Sequence, residues 1–510
     1  MPENAPIKHP PLLVVLQAGV LYVLLSLAHG YVFGHQDLIE ITGYLNFIKD
    51  PTLYSQDFYI QQITSRVPNE RWMFVQLLNF FNISTPWSFL VAHFVISMAM
   101  LSGLILTARE FIKSDLFAFV AVVATLVLFY KINLGGNEIY YNTLTSSLAA
   151  KAIGIWSIFF FLRQKPTTAT LMLIPISLIH PLVGIQLFLI FTGILFVQQI
   201  KRGDWVSQLK KYWSIPVYLL TAGVWLYFLE KQFSGGNLDT TTFYKIIEFR
   251  LAHHFIPSTF GLRNYVVLVP AFVFGWIYFW KKNEWLFWFF NFTIFGLIIY
   301  TIGVEWLGKS LFLTTQWFKT TIWLKYFSII AGCSLAVDLL KRYLPKAVKP
   351  INTLVISSLV LLTIFLFWKL PDRHQTTFDL PWKGDYNDEI AIAKLALRKT
   401  PKDALFVTPV YFTHLKYYGR RSTFVDYKAM VHHKSVLPEW YQRVKTIYQM
   451  NDQESSTQRL SSKHMQLPRS AEGIKELKIL GITHMISDTT LSSGTNLLGQ
   501  KGKYYLYELR

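Results

Sequence analysis

Three carboxylates stand close together in the first polar stretch of the chain, residues 29–59, which reads HGYVFGHQDLIEITGYLNFIKDPTLYSQDFY. Asp37, Glu40 and Asp57 follow directly on an apolar run that is long enough to cross a bilayer. Acids in this place would lose solvation free energy if they were buried without partners, which favours a chemical role at the membrane surface. The same pattern also fits a solvated polar face, and charge alone does not separate the two interpretations.

The spacing predicts an amphipathic helix over residues 36–48 that would carry two of these acids. Leu and Ile at positions 38, 41, 45 and 48 fall on one stripe, whereas Asp37 and Glu40 fall on another. This is the pattern of a helix that lies on a membrane surface with its acids facing water. The Asp50-Pro51 pair ends it, because the residue before a proline is pushed out of the helical region.

Two long polar loops, residues 34–86 and 230–265, carry cationic and imidazole side chains that could bind an anion. These candidates are Arg66, Arg71, Arg250, His253 and His254. The adjacent histidines could instead bind a metal ion, but neighbours in a helix point apart, so a shared ion would need loop geometry.

Two polar positions fall inside or beside apolar runs. His180-Pro181 joins two runs, 169–179 and 182–197, that are shorter than ordinary membrane spans, so His180 either lines a wet cavity within the membrane or simply ends a helix. Lys151 lies within an apolar run and is expected to face Glu138 or an aqueous groove, which makes Glu138 a further candidate for substrate binding.

The composition predicts an α-helical polytopic membrane protein, since 52% of residues are hydrophobic and only 15% are charged. Apolar runs cover residues 12–33, 87–106, 116–130, 142–162, 169–179, 182–197, 213–229, 266–280, 285–303, 323–340 and 351–368. We therefore expect about ten or eleven membrane segments. The formal net charge of +19 disperses into short loops and the end of the chain, so no nucleic-acid partner is expected.

Lys and Arg are about three times denser in one set of loops than in the other, which predicts a cytoplasmic N-terminus. The two long loops and the C-terminal part would then be extracytoplasmic. After Lys369–Asp372 the composition shifts, so we divide the chain into a membrane domain (1–371) and a small α/β domain (372–510). In that domain Arg420, Arg421, Asp426 and Lys428 are expected to be structural.

Short motifs carry a resemblance that covers most of the chain. GHQD at 34–37, DPTLYSQDF at 50–58, HPL at 180–182 and HHFIPS at 253–258 are similar to an uncharacterised family of bacterial multispanning membrane proteins. The order of a first span, a long loop with an early acid, short spans and a C-terminal outer domain resembles the GT-C superfamily of membrane glycosyltransferases.

The GT-C resemblance implies transfer of a sugar from a polyprenyl-phosphate donor to an extracytoplasmic envelope acceptor, within a bacterial inner membrane. It implies that Asp37 acts as catalytic base or metal ligand, with Glu40 or Asp57 as a second acid, and that a divalent ion (Mg²⁺ or Mn²⁺) takes part. Asp37 and Glu40 are three residues apart instead of forming the usual acid-x-acid pair, so the metal ligands stay unassigned. In such a reaction the cations of the two long loops would hold the departing phosphate.

Two other functions fit the same sequence. A transporter or flippase of lipid-linked material would also use broken helices such as the one at His180. A non-catalytic membrane scaffold would use the C-terminal domain to bind envelope partners.

Overall fold

The computed structural model describes residues 11–34, 37–203, 212–369, 378–383, 387–450, 465–491 and 495–509. The predicted flexible loop at 451–469 falls largely outside the described residues. Helices dominate the first part of the chain, and the described strands of the C-terminal part form a single five-stranded sheet.

The helices of the membrane domain follow the predicted apolar runs. They are α1 (Pro11–His29), α5 (Pro86–Arg109), α6 (Asp115–Val123), α7 (Ser146–Leu162), α8 (Pro166–Ile179), α9 (Pro181–Arg202), α10 (Ser214–Tyr218), α11 (Val224–Phe233), α13 (Leu262–Lys282), α14 (Glu284–Thr301), α15 (Ser310–Thr315), α16 (Thr321–Tyr343) and α17 (Val348–Trp368). Local chemistry sets several of the starts: Thr85 and Ser88 form a capping box before α5, with Pro86 in its first turn.

Seven described helical segments are long and apolar enough to cross a membrane, and three shorter apolar helices accompany them. Many of their large apolar side chains are exposed, such as Leu354 and Leu361 on α17, which are each 65% exposed. Such faces are stable only in contact with hydrocarbon. The prediction of an α-helical polytopic membrane fold is confirmed.

Helix α9 corrects the prediction of two short broken spans at His180-Pro181. It has 22 residues, or about 33 Å at 1.5 Å per residue, and is a full-length candidate span. His180 caps its start: the imidazole Nδ1 accepts a hydrogen bond of 3.4 Å from the backbone N–H of Val183. The turn therefore joins the ends of two helices and does not interrupt one span.

The first long loop folds into three short helices, α2 (Leu38–Lys49), α3 (Phe58–Thr64) and α4 (Trp72–Phe80). Every residue of α2 from Leu38 to Leu45 is buried. The amphipathic helix exists as predicted, but it does not expose a polar face to water. Helix α4 packs along one side of it, and the C-terminal α/β domain covers another through the turn Leu415–Gly419.

The C-terminal α/β domain contains α18 (Asp388–Lys399), α19 (Leu437–Ile447) and α20 (Ala471–Ile479). Its strands are β1 (Leu405–Val407), β2 (Ser422–Thr423), β3 (His484–Ser487), β4 (Thr495–Lys501) and β5 (Tyr504–Leu509). The spatial order is β2-β1-β3-β5-β4, with parallel pairing among the first three strands and antiparallel pairing for the rest. The small α/β unit expected at the end of the chain is present, and β4 carries a bulge between Leu497 and Gly499.

The second long loop forms one helix, α12 (Thr240–Phe255), which packs against α19 of the C-terminal domain. Both long loops therefore lie between the membrane helices and the C-terminal domain. At that junction α2 contacts the turn Leu415–Gly419, and Arg250 on α12 bonds to the Tyr427 carbonyl.

Candidate functional site

Arg71 brings together two of the three acids that the sequence singled out. Its Nε and Nη2 atoms lie 2.8 and 2.6 Å from Glu40 Oε2, and Nη2 lies 4.0 Å from Asp37 Oδ2. Arg71 immediately precedes α4, where Asn69 Oδ1 accepts a hydrogen bond from the Arg71 backbone N–H. The start of α4 and the first turn of α2 thus place one guanidinium between two carboxylates.

Two lysines from distant parts of the chain lie near enough to Asp37 that their charges lower its pKa. Lys319 lies just before α16, and Lys428 lies in the C-terminal domain after β2. Their side-chain amines form no hydrogen bond or ion pair within the described residues. We call Asp37, Glu40, Arg71, Lys319 and Lys428 the Asp37 cluster.

The two acids of the Asp37 cluster titrate in opposite directions. Burial raises the pKa of Asp37, but the nearby charges of Arg71, Lys428 and Lys319 outweigh it and lower that pKa to about 2. Burial dominates at Glu40 and raises its pKa to about 7, although Arg71 opposes this. Near neutral pH, Asp37 is therefore a carboxylate while Glu40 is partly protonated.

Asp37 is also the accessible acid. Its side chain is 41% exposed against 7% for Glu40. Its carboxylate accepts no hydrogen bond from the described residues, and Arg71 at 4.0 Å is too distant to donate one. Asp37 can therefore accept a proton from a ligand, and the three cations around it give the cluster a net positive charge.

An apolar cavity of about 370 Å³ has walls that include sequence neighbours of the Asp37 cluster, and we call it the site cavity. Three of its wall residues are close neighbours in sequence of cluster members: Glu70 precedes Arg71, Trp317 is two residues before Lys319, and His432 is four residues after Lys428. Most of the remaining walls are hydrocarbon, contributed by Pro181, Leu182, Ile185, Leu189, Leu226, Leu229, Phe243 and Ile247. The cavity suits a long apolar chain that ends in an anionic group.

A second apolar cavity, of about 330 Å³, lies on the other side of the His180 turn, and we call it the lateral cavity. Ile179 lines the lateral cavity, whereas Pro181 lines the site cavity. Its other walls come from α4, α5, α7 and α8, and include Phe74, Ile153 and Trp156. Its lining consists almost entirely of apolar residues, so it accommodates only hydrocarbon.

Asp57, the third predicted acid, lies elsewhere. It is fully buried, caps α3 by accepting a 2.9 Å bond from Ile60 N–H, and is paired with Lys416 of the C-terminal domain. The Thr423 backbone N–H donates to it at 2.8 Å, and the Thr423 hydroxyl oxygen lies 3.0 Å from the same carboxylate oxygen. These bonds occupy the carboxylate, so Asp57 is not a second acid of the Asp37 cluster.

The other predicted arginines have local partners. Arg66 Nη1 donates to the backbone carbonyl of Gln62 at 3.1 Å and to that residue's side chain. Arg250 is buried, donates from Nε to the backbone carbonyl of Tyr427 at 3.0 Å, and stacks on the Tyr427 ring. Arg250 holds the segment that carries Lys428 and so supports the cluster indirectly.

The two adjacent histidines lie beside a glycine turn. His254 Nδ1–H donates to the Gly135 carbonyl at 2.9 Å, and burial lowers the pKa of His254 to about 3. The His253 ring packs on that of His254, with the ring centroids 4.0 Å apart. Gly136 has φ +59°, and a Cβ there would come within 2.8 Å of His254, so this approach requires glycine.

Glu138 is bound within the membrane domain. Its carboxylate pairs with Lys325 Nζ at 2.9 Å and accepts a hydrogen bond from Asn133. Lys151 binds the backbone carbonyl of Glu138, together with Asn137 Oδ1 at 2.8 Å. The expected contact between Lys151 and Glu138 is thus made through the main chain, and the Glu138 side chain is not available to a substrate.

The expected divalent ion has no evident ligand set in the described part of the chain. No group of three His, Cys, Asp or Glu side chains there could hold a metal. Glu40 is paired with Arg71, and the cations beside Asp37 already compensate its charge. The residues present do not fit a metal centre, and we assign no reaction step to one.

The sequence did not identify Lys319 or Lys428 as site residues. The sequence predicts a structural role for Lys428, together with Arg420, Arg421 and Asp426. Arg421 has such a role, because it bonds to Thr400 and to nearby carbonyls. One feature of the sequence could have pointed to Lys319: it lies shortly before an apolar run, and therefore at the end of a membrane helix. Nothing in the sequence indicates that either lysine lies near Asp37.

Comparison with solved structures supports the fold assignment. The crystal structure of ArnT from Cupriavidus metallidurans in the apo state matches with a TM-score of 0.50, over 98% of each chain and at 12% identity. The chain has the GT-C glycosyltransferase fold. This confirms the resemblance on which the sequence interpretation rested, at the level of fold.

Comparisons of the sequence itself identify only a short matching segment. A domain of unknown function, DUF6798, matches residues 387–447, which cover α18, β1, β2 and α19. No curated protein matches the sequence significantly. The DUF6798 segment includes Lys416 and Lys428, so one member of the Asp37 cluster lies within it.

Proposed function

We propose that this protein is a membrane glycosyltransferase that moves a sugar from a polyprenyl-phosphate donor to an extracytoplasmic acceptor. The observation that carries the proposal is the setting of Asp37, an exposed carboxylate near three cations, together with an apolar cavity whose walls include sequence neighbours of those cations. The GT-C fold supports it. Each part of such a donor has a matching part of the site.

The cations suit the phosphate of the donor. Arg71 offers planar donors, and Lys319 and Lys428 offer two amines that have no hydrogen-bond or ion-pair partner among the described residues. A phosphate would therefore bind without breaking ion pairs of the two lysines. The site cavity beside them takes the first isoprene units, and hydrocarbon contact contributes about 0.8 kcal/mol for each buried CH₂.

Asp37 then acts as general base. Its carboxylate accepts the proton of an acceptor hydroxyl while that oxygen forms a bond to the anomeric carbon of the sugar. The bond from this carbon to the phosphate oxygen breaks, and its electron pair leaves on the phosphate. Arg71, Lys319 and Lys428 stabilise the negative charge that develops there. Because phosphate is a good leaving group, no acid is required on that side.

The Asp37 cluster also has a proposed side of the membrane. We place the Asp37 cluster on the outer side of a bacterial cytoplasmic membrane, with the N-terminus inside, because the loops of low Lys and Arg density form the site. Lipid-phosphate sugar and envelope acceptors would be available at that surface. The acceptor and the sugar are left open by this assignment.

Sugar transfer by purified protein in vesicles tests the proposal. Asp37→Asn preserves shape but removes the base, so transfer should fall by about a hundred- to ten-thousand-fold, with donor affinity retained. The matched control is Asp50→Asn, because Asp50 is an exposed loop acid bound to Lys402 and Thr52. Wild-type transfer by Asp37→Asn would refute the base assignment. If no form transfers any of a panel of polyprenyl-phosphate sugars, a transporter or scaffold function is favoured.

A further inference from the structure

Lys416 lies at the centre of the contact between the first long loop and the C-terminal domain. Its side chain is 1% exposed. Its Nζ contacts the carboxylates of Asp57 and Asp426, the latter at 2.8 Å, and donates to the Thr423 hydroxyl at 2.8 Å. One buried cation therefore joins α3, through Asp57, to the chain that follows β2.

The stem of Lys416 also packs against the helix that carries the acids of the Asp37 cluster. A Cβ built on Gly43 would lie 3.0 Å from Lys416 Cδ, so the methylene chain crosses α2 in direct contact at that glycine. Gly43 is three residues after Glu40 and lies on the same side of α2. The Tyr54 hydroxyl donates to the Lys416 carbonyl and holds its backbone.

The other end of this network leads to the lysine of the C-terminal domain. Asp426 is two residues before Lys428, and Thr423 Oγ1 donates to Asp426 Oδ2 at 2.7 Å. Between them, the Tyr427 carbonyl accepts the bond from Arg250. The short segment 426–428 is thus fixed from one side by Lys416 and from the other by Arg250.

We propose that Lys416 is a positioning residue that sets the distance between Lys428 and the acids of α2, and so makes the C-terminal domain part of the donor-phosphate site. This rests on the proposed function. Lys416 touches no substrate; it acts by fixing Asp426 against α2. Lys319 belongs to the membrane domain and has no contact with this network, so its contribution to phosphate binding should not depend on Lys416.

A double-mutant cycle separates positioning from general stabilisation. Lys416→Met alone leaves two buried acids without a cation, so the test uses Lys416→Met with Asp57→Asn and Asp426→Asn, which removes all three charges and gives a neutral network. Binding of undecaprenyl phosphate to detergent-purified protein is measured with Lys428→Met or Lys319→Met added to each background. In otherwise wild-type protein each lysine change should weaken binding by about tenfold, the value of one charged hydrogen bond.

In the neutral-network background, Lys428→Met should weaken binding by less than about twofold, whereas Lys319→Met should keep its full effect. If Lys428→Met weakens undecaprenyl phosphate binding equally in both backgrounds, the positioning role is wrong. If neither lysine matters in otherwise wild-type protein, the proposed phosphate site fails instead, and the two failures are distinguishable.

Gly43→Ala provides a second test that retains every charge. The added methyl group would press on Lys416 Cδ and on Ile60. It should weaken undecaprenyl phosphate binding in protein that has Lys428 and have no further effect in Lys428→Met. Gly19→Ala is the control, because nothing lies within 4 Å of a Cβ at that position of α1. An equal effect of Gly43→Ala with and without Lys428 would contradict the proposal.

Discussion

Two nitrogens of Arg71 contact the same carboxylate oxygen of Glu40: Nε lies 2.8 Å and Nη2 lies 2.6 Å from Oε2. The pair orients the guanidinium so that Nη2 also faces Asp37, at 4.0 Å. Glu40 therefore supports the cation, while Asp37 remains exposed to a ligand. The different environments of two acids on the same helix turn give them different roles.

Replacement of this arginine tests its geometry. Arg71→Lys keeps a positive charge but loses the planar group that contacts both acids, so the affinity for polyprenyl-phosphate donor should fall by roughly tenfold. Arg66→Lys is the matched control, because Arg66 bonds only to residues of its own segment in the described structure. Donor affinity measured in detergent would contradict the assignment if both variants bind like wild type.

The raised pKa of Glu40 predicts a pH dependence of stability. Its pKa is about 7 in the folded protein against an ordinary 4.5, so folding favours the protonated form. The contribution of protonated Glu40 to the free energy of unfolding is complete below about pH 4.5. It is lost as the pH rises through about 7, at up to about 1.4 kcal/mol per pH unit. The thermal midpoint of wild type relative to that of Glu40→Gln should therefore fall as the pH rises from 4.5 to 7.5. A constant difference would show that Glu40 is ionised throughout.

Filling one cavity should affect donor binding, and filling the other should not. Ile185→Trp narrows the site cavity, and Ile153→Trp makes the same change in the lateral cavity. Loss of contact with two buried CH₂ groups costs about 1.6 kcal/mol, so Ile185→Trp should raise the KM for donor by about tenfold with kcat nearly unchanged. A larger KM effect from Ile153→Trp would assign the donor chain to the lateral cavity.

The predicted orientation is open to a labelling test, because Cys333 is the single cysteine of the chain. In a Cys333→Ser background, Ser65→Cys and Lys346→Cys place exposed thiols on the first long loop and on the turn before α17. A membrane-impermeant maleimide should label Ser65→Cys in intact cells and label Lys346→Cys only after lysis. The reverse pattern would place the Asp37 cluster on the cytoplasmic side.

Local sequence was sufficient to predict the membrane helices and to single out Asp37 as a candidate. Apolar runs of span length, capping residues such as Thr85 before Pro86, and an early acid after the first span are all properties of contiguous residues. Hydrocarbon tolerates only helices with satisfied backbone groups, so composition determines these elements directly. Hydropathy alone gave too short a run, 182–197, because the polar residues that follow it still belong to α9.

Tertiary structure alone decided which charges share the site. Asp57 and Asp37 look equivalent in sequence, yet Lys416, 359 residues away along the chain, binds Asp57 and leaves Asp37 free. The sequence predicts only a structural role for Lys428, and this lysine comes near Asp37 because Lys416 and Arg250 fix its segment against α2 and α12. Electrostatic pairing depends on distance in space, and residues so far apart in the chain acquire that distance only when the C-terminal domain docks on the long loops.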